Sequence, residues 1–130
     1  MKTNKIALAG LATAALVFAP PAAADIPGIG PLVGQWGAHG ESLTINADGT
    51  AVETARLGTV NMLFRAADGS SAAGIVTSST IPNVSTGVQA GANLVDAGRG
   101  LLLTVSGGDN QFPFCKMVNG SYLNSADCGA

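Results

Sequence analysis

The stretch GQWGAHGESLTINADGTAVETAR, residues 34–56, decides the fold. Within it Leu43 and Ile45 alternate with polar residues, Asp48-Gly49 follows as a tight turn, and the alternation resumes after the turn. Apolar alternation on both sides of Asp-Gly is a strong short-range signal for a hairpin, because these residues tolerate the turn's left-handed backbone. The stretch therefore predicts two antiparallel strands joined at Asp48-Gly49.

The same pattern of short strands continues along the chain, and no stretch shows apolar residues at helical spacing over three turns. Turns every ten or so residues are typical of an antiparallel barrel or sandwich. The sequence therefore predicts an all-β fold, a small antiparallel β-barrel or sandwich of six to eight short strands. Outside the hairpin, strands are predicted at 60–64, 75–80, 101–105 and 112–118, with a short one at 122–123. A turn or loop is predicted over 66–74, and the pattern of 84–95 is ambiguous.

The N-terminus has the pattern of a secretory signal peptide. Lys2 and Lys5 precede an unbroken run of apolar and small residues over 6–18, and small residues then lead to a cleavage site between Ala24 and Asp25. The run has 13 residues, fewer than the ~20 needed to cross a bilayer. We therefore expect residues 1–24 to be a signal peptide, the protein to be secreted to the cell envelope or medium, and the mature form to have no transmembrane anchor.

Cleavage after Ala24 would leave 106 residues, the size of one small domain. Residues 25–35 hold two prolines and three glycines and are interpreted as an irregular lead-in. Residues 36–130 contain no internal repeat and no linker, so they are expected to form a single β domain.

The mature chain would carry a net charge of −4, since the signal peptide removes two lysines and no acidic residue. Four basic residues would remain, which is too few to form a basic surface along a nucleic-acid backbone or a polybasic patch on a membrane. Nucleic acid is therefore not expected as a partner. The four are Arg56, Arg65, Arg99 and Lys116.

Cys115 and Cys128 are the two cysteines of the chain. An even pair in an exported domain favours a structural disulfide. A redox pair or a metal site is the alternative, but the spacing is not Cys-x-x-Cys and one histidine accompanies the pair.

The motif Gly34-x-Trp36 opens the first strand after an irregular lead-in, and this resembles the start of the calycin barrels, which include lipocalins, fatty-acid-binding proteins and avidins. In those families the tryptophan closes the barrel floor, often under an arginine from a late strand. The resemblance implies that Trp36 closes the floor here, with Arg99 as the candidate cation. It also implies a small apolar ligand inside the barrel.

A second resemblance is to small secreted proteins of mycobacteria and related actinobacteria. It rests on the Ala-rich signal, on Trp-x-x-His-Gly-x-x-Leu-x-Ile-x-x-Asp-Gly-Thr from Trp36 to Thr50, and on the C-terminal cysteine pair. It implies an envelope or extracellular location and supplies no mechanism.

His39 is the single histidine of the chain, so any catalysis that uses a histidine would have to use His39. Glu41 would share its strand face, whereas Ser42 would point away, and no Gly-x-Ser-x-Gly elbow presents a serine elsewhere. His39 is therefore expected to be a structural residue, with a ligand contact as the alternative and catalysis the least favoured.

Glu41 and Glu53 are the two glutamates, and pairing about the Asp-Gly turn would bring them roughly opposite each other. They could be a glycosidase-type dyad, but a solvated rim is the favoured interpretation. Asp48 and Asp109 could hold calcium, although turns need such residues for backbone reasons alone. No metal, cofactor or catalytic residue is predicted.

Three classes of function remain. The first is a non-enzymatic barrel that binds a small apolar ligand. The second is a closed-core module that recognises an extracellular protein or glycan. The third is an enzyme, disfavoured because histidine, thiol and clustered acids are scarce. The volume left inside the barrel discriminates between the first two.

Overall fold

The computed structural model describes residues 24–106 and 112–122. These residues form a closed antiparallel β-barrel of eight strands and contain almost no helix. The strands follow one another around the barrel in chain order, and β1 pairs with both β2 and β8. The short strand β9 pairs antiparallel with the end of β8. The strands are β1 Gly34–Ala38, β2 Glu41–Ile45, β3 Thr50–Ala55, β4 Gly58–Ala67, β5 Ser71–Ser79, β6 Gln89–Val95, β7 Gly100–Val105, β8 Phe112–Val118 and β9 Ser121–Tyr122, with 3-10 turns at Gly30–Leu32 and Asp96–Gly98.

The predicted hairpin is present and is formed by β2 and β3, with Ile45 opposite Ala51. Its connection is longer than two residues, because the Asn46 N–H donates to the Thr50 carbonyl and four residues lie between the strands. Gly49 has a φ of +92°, and a Cβ there would overlap the Phe64 carbonyl oxygen. The turn therefore requires glycine both for its backbone conformation and for its contact with β4.

The prediction of an all-β fold is confirmed, and of its two forms the structure has the barrel. The turn or loop predicted over 66–74 is present but is limited to residues 68–70, because β4 continues to Ala67 and β5 already begins at Ser71. Gly74 makes this close pairing feasible, since a Cβ there would overlap the Leu63 carbonyl oxygen. In the ambiguous segment 84–95, β6 begins at Gln89.

Within the described ranges, side chains from all eight barrel strands occupy the interior. An eight-stranded barrel has an interior just wide enough for side chains to fill. The inward alanines of β6, Ala90 and Ala92, are themselves buried in this core. The largest fully buried side chains are Trp36, Phe64, Phe114, Ile29, Leu32, Leu43, Ile45, Met62, Leu101, Val60 and Val76.

The two ends of the barrel are covered differently. At one end, the lead-in end, residues 25–33 cross the opening and place Ile29 and Leu32 in the core. The Ile26 N–H donates to the Ala47 carbonyl at 2.9 Å, which ties this segment to the β2–β3 turn. At the other end, the loop end, lie the turns 39–40 and 56–57 and the loop 80–88.

Candidate functional site

Trp36 lies inside the barrel near the lead-in end and is fully buried. Its indole N–H donates to the Leu32 carbonyl at 2.9 Å, so the 3-10 turn of the lead-in is held directly against β1. This satisfies a buried polar group and holds the lead-in against the ring.

The cation over Trp36 is Lys116 of β8, whose Nζ is 4.7 Å from the ring centroid. Lys116 stands directly opposite Trp36 in the β1–β8 pairing, and its Nζ also donates to the Val33 carbonyl at 3.3 Å. Because both residues point to the same face of adjacent strands, the ammonium can interact with the ring while its stem covers apolar surface.

Arg99 does not occupy the position that the sequence suggested for it. Its guanidinium pairs with the Asp96 carboxylate at 2.8 Å, and both side chains are about half exposed. Asp96 and Ala97 adopt positive φ values in the β6–β7 turn, which brings the carboxylate close to the guanidinium. The register that places Lys116 opposite Trp36 depends on the β1–β8 closure, so local sequence patterns could not identify it.

Glu41 and Glu53 form a carboxyl pair at the loop end. Glu53 faces the interior of β3 and is only 7% exposed, with the buried residues Leu43 and Val60 as its strand neighbours. Glu41 lies diagonally across on β2, two positions before Leu43, within reach of a long side chain. The favoured interpretation of the pair as a solvated rim is therefore wrong for Glu53.

The surroundings of Glu53 disfavour its charged form. Burial, the nearby negative charge of Glu41 and a hydrogen bond with Glu41 raise the pKa of Glu53 to about 7. One oxygen of Glu41, Oε1, is buried without a hydrogen-bond partner. At neutral pH Glu53 can therefore hold or release a proton, which an ordinary surface glutamate would not do.

The side chains of the turn aspartates accept hydrogen bonds from the residues that follow them. Asp48 accepts hydrogen bonds from the Thr50 N–H and hydroxyl, which lower its pKa. Asp68 accepts from the N–H groups of Ser70 and Ser71 and from both hydroxyls, and these bonds lower its pKa to about 2. Such turns explain both aspartates without a calcium ion. Asp109 lies outside the described residues.

His39 is exposed in the turn between β1 and β2, and Glu41 follows directly at the start of β2. Ser42 is exposed on the outer face, whereas Glu41 is half-buried. The structure therefore separates Ser42 from the carboxyl pair.

An open groove of about 430 Å³ lies on the outer face of β4, β5 and β6. Its lining combines small side chains with a few hydrogen-bonding groups. No sequence pattern identifies this groove, because it depends on Ser71 lying opposite Asn93 across the β5–β6 pairing. The lining includes Ala66, Asp68, Ser71, Ala73, Gly91 and Asn93.

The remaining predicted positions lie at the limits of the described ranges. Cys115 is half-buried on β8, but Cys128 lies outside the described residues, so their disulfide stays a prediction. Residues 1–23 of the predicted signal peptide also lie outside them, while Ala24 and Asp25 are exposed.

Within residues 24–106 and 112–122, no helix is long and apolar enough to cross a membrane. In the same ranges no three His, Cys, Asp or Glu side chains cluster as metal ligands would. Comparison with known proteins found no matching family model, no matching curated protein and no matching solved structure.

Proposed function

We propose that the protein is an exported, non-enzymatic binding module that recognises an extracellular protein or glycan with the outside of its barrel. The observation that carries the proposal is the filled interior, where Trp36, Phe64 and Phe114 are fully buried among aliphatic side chains. Ligand pockets commonly measure about 300–1,000 Å³. A small eight-stranded barrel filled in this way favours recognition on its exterior.

Export is part of the proposal and is supported by the sequence. The charged start, the apolar run and the small residues before Asp25 have the pattern of a signal peptide. The exposure of Ala24 and Asp25 would leave the proposed cleavage bond accessible to a peptidase. The resemblance to secreted actinobacterial proteins points to the same location.

The groove on β4–β6 is the proposed recognition surface. Ala73 and Gly91 are paired across its floor and are small enough to let a partner approach the backbone. Asn93 adds an amide that can donate to or accept from glycan hydroxyls or a peptide backbone, and the Ser71 hydroxyl, which donates to Asp68, can still accept. Together with the Asp68 carboxylate in the lining, these groups suit a partner rich in hydrogen-bond donors.

Native mass spectrometry of the protein collected from the medium of an actinobacterial host tests the filled interior. We expect the bare mass of residues 25–130. A discrete adduct that survives gentle ionisation and dissociates on denaturation would instead identify a small-ligand carrier, which is the second candidate function.

Co-sedimentation with isolated cell envelopes tests the groove. We expect Ala73→Glu, which adds a charged side chain to the groove, to stay in the supernatant while the unmodified protein sediments. Thr54→Glu, on the exposed face of β3 outside the groove, is the matched control and should sediment normally. Equal sedimentation of all three proteins would rule out the groove as the recognition surface.

A further inference from the structure

The groove on the outer face of β4–β6 runs across the strands, because its floor is one row of the sheet. Ala66 on β4 stands opposite Ala73 on β5, and Ala73 stands opposite Gly91 on β6. Each of these three side chains is a methyl group or a hydrogen atom. A chain of another molecule can therefore approach the backbone more closely along this row than along a row of larger side chains.

The neighbouring rows of the sheet flank this floor with different chemistry. Toward the loop end, Leu63 stands opposite Ile75, and both are half-buried on the outer face. Toward the lead-in end, Ser71 stands opposite Asn93. The groove is therefore bordered by apolar side chains on one side and by hydrogen-bonding side chains on the other.

Asp68 supplies the negative charge of the groove. Its Oδ1 accepts from the N–H and hydroxyl of Ser70 at 3.0 and 3.2 Å, and from the N–H and hydroxyl of Ser71 at 2.8 and 3.0 Å. Four donors on one oxygen fix the orientation of the carboxylate. They also lower its pKa to about 2, so the group is ionised at neutral and mildly acidic pH.

The second oxygen of Asp68, Oδ2, takes part in none of these four bonds, and the side chain is exposed. Within residues 24–106 and 112–122 the side-chain ion pair joins Asp96 to Arg99 and does not involve Asp68. Arg65 is exposed at the irregularity of β4 and lies outside the residues that line the groove. The groove therefore presents an oriented carboxylate whose charge is not balanced by an ion pair.

Charge and shape together select the kind of partner. The mature chain would carry a net charge of −4, which attracts cations at long range, and Asp68 can accept a charge-assisted hydrogen bond from an ammonium or guanidinium group. Within the described lining no aromatic side chain is present to cover a sugar ring. A peptide backbone needs only the close approach that Ala73 and Gly91 allow. These features favour a basic peptide over a glycan.

We propose that the occupant of the groove is an extended basic segment of another protein, an inference that rests on the proposed role of the groove in recognition. The backbone of this segment lies along the floor, and a lysine or arginine side chain donates to Oδ2 of Asp68. The Asn93 amide bonds to the backbone of the segment on the same side. Ile75 packs against its apolar side chains on the other side.

NMR titration of the isotope-labelled protein with two synthetic peptides tests this inference. One peptide is an acetylated and amidated hexapeptide of alternating lysine and alanine, and the other has glutamine in place of each lysine. We expect the lysine peptide to shift the amide signals of Ser71, Ala73, Gly91 and Asn93, and to bind about fivefold more tightly than the glutamine peptide. Raising NaCl from about 20 to about 500 mM should remove most of this difference, because salt screens exposed charges.

Two variants test the role of the carboxylate. Asp68→Asn removes the charge with little change in shape, since an asparagine oxygen can still accept from Ser70 and Ser71, and it should bind the two peptides equally. Asp48→Asn is the matched control. Asp48 is also a turn aspartate that accepts from the residue two positions on, Thr50, but it lies outside the groove, so this variant should keep the preference for lysine. The two peptides compared on the unmodified protein remain decisive if Asp68→Asn does not fold.

Equal or absent binding of the two peptides to the unmodified protein, or an unchanged lysine preference in Asp68→Asn, would overturn the basic occupant. A glucosamine tetramer is titrated in parallel, and shifts of the groove amides by this sugar alone would assign the groove to a glycan. The groove and its occupant fail separately. Loss of envelope sedimentation in Ala73→Glu with normal sedimentation of Asp68→Asn would retain the groove and reject the cation, whereas normal sedimentation of both variants would reject the groove itself.

Discussion

Glu53 sets a pH dependence of stability that is unusual for a carboxyl group. Its pKa in the folded protein is raised from 4.5 to about 7 by burial and by Glu41, so the folded state binds the proton more tightly than the unfolded chain does. The stability that this proton supports is fully present below pH 4.5 and is lost as the pH rises through 7.

We therefore expect Glu53→Gln to unfold at the same denaturant concentration as the unmodified protein at pH 4 and at a higher one at pH 8. The difference at pH 8 should reach about 3 kcal/mol, because each pKa unit corresponds to ~1.4 kcal/mol. Urea unfolding at pH 4, 6 and 8 measures it. Parallel stability curves for the two proteins would contradict the prediction.

The aspartates of the turns act in the opposite direction. The pKa values of Asp48 and Asp68 are lowered by hydrogen bonds from the residues that follow them. Their contribution to stability is present at neutral pH and is lost as the pH falls through their folded pKa values, which for Asp68 is about 2. The pH profile above pH 4 therefore reports mainly on Glu53.

Single residues also mark the limit of what the sequence could predict. The strand alternation correctly placed Leu43 and Ile45 on one face, and both are buried, since a face is determined by the period of two within one strand. The partner of Trp36 was not predictable in this way. Lys116 lies 80 positions along the chain from Trp36, and only the closing β1–β8 register brings them together.

At the scale of elements, the sequence identified strands where large apolar residues alternate and failed where small residues form the strand. The segment from Ala66 to Gly74 is rich in alanine, glycine and serine, which lack the β-branched signal. It pairs nevertheless, because Gly74 lets β5 pack against the backbone of β4 at Leu63 and Phe64. Close backbone approach is a property of the pair of strands and not of either one.

Gly74→Ala tests that approach. The added Cβ would overlap the Leu63 carbonyl, so the β4–β5 pairing must shift, and we expect a loss of about 2 kcal/mol or more in the free energy of unfolding. Gly91→Ala is the matched control on the next strand. Its Cβ would meet the Ala72 carbonyl oxygen at 3.7 Å, an ordinary contact, so its stability should change little. Similar losses in both variants would contradict the steric argument.

At the scale of the whole molecule, the barrel depends on a segment that carries no strand. The lead-in contributes Ile29 and Leu32 to the core, and the Leu32 carbonyl accepts the Trp36 indole N–H. Its prolines and glycines predicted an irregular chain, but sequence periodicity gives no signal that such a chain closes a barrel end. The lead-in closes this end because it fits the opening of the barrel, and that opening depends on all the strands together.

Leu32→Ala measures how much this closure contributes. Leu32 is fully buried, so its truncation leaves a cavity against Trp36, and we expect a loss of about 3 kcal/mol with a red shift of the tryptophan emission. Leu57→Ala makes the same chemical change in the exposed β3–β4 turn, where Leu57 is 69% exposed, and should change stability by less than about 0.5 kcal/mol. If Leu32→Ala were as mild as Leu57→Ala, the strands alone would hold the barrel closed and the lead-in would be only an attachment to it.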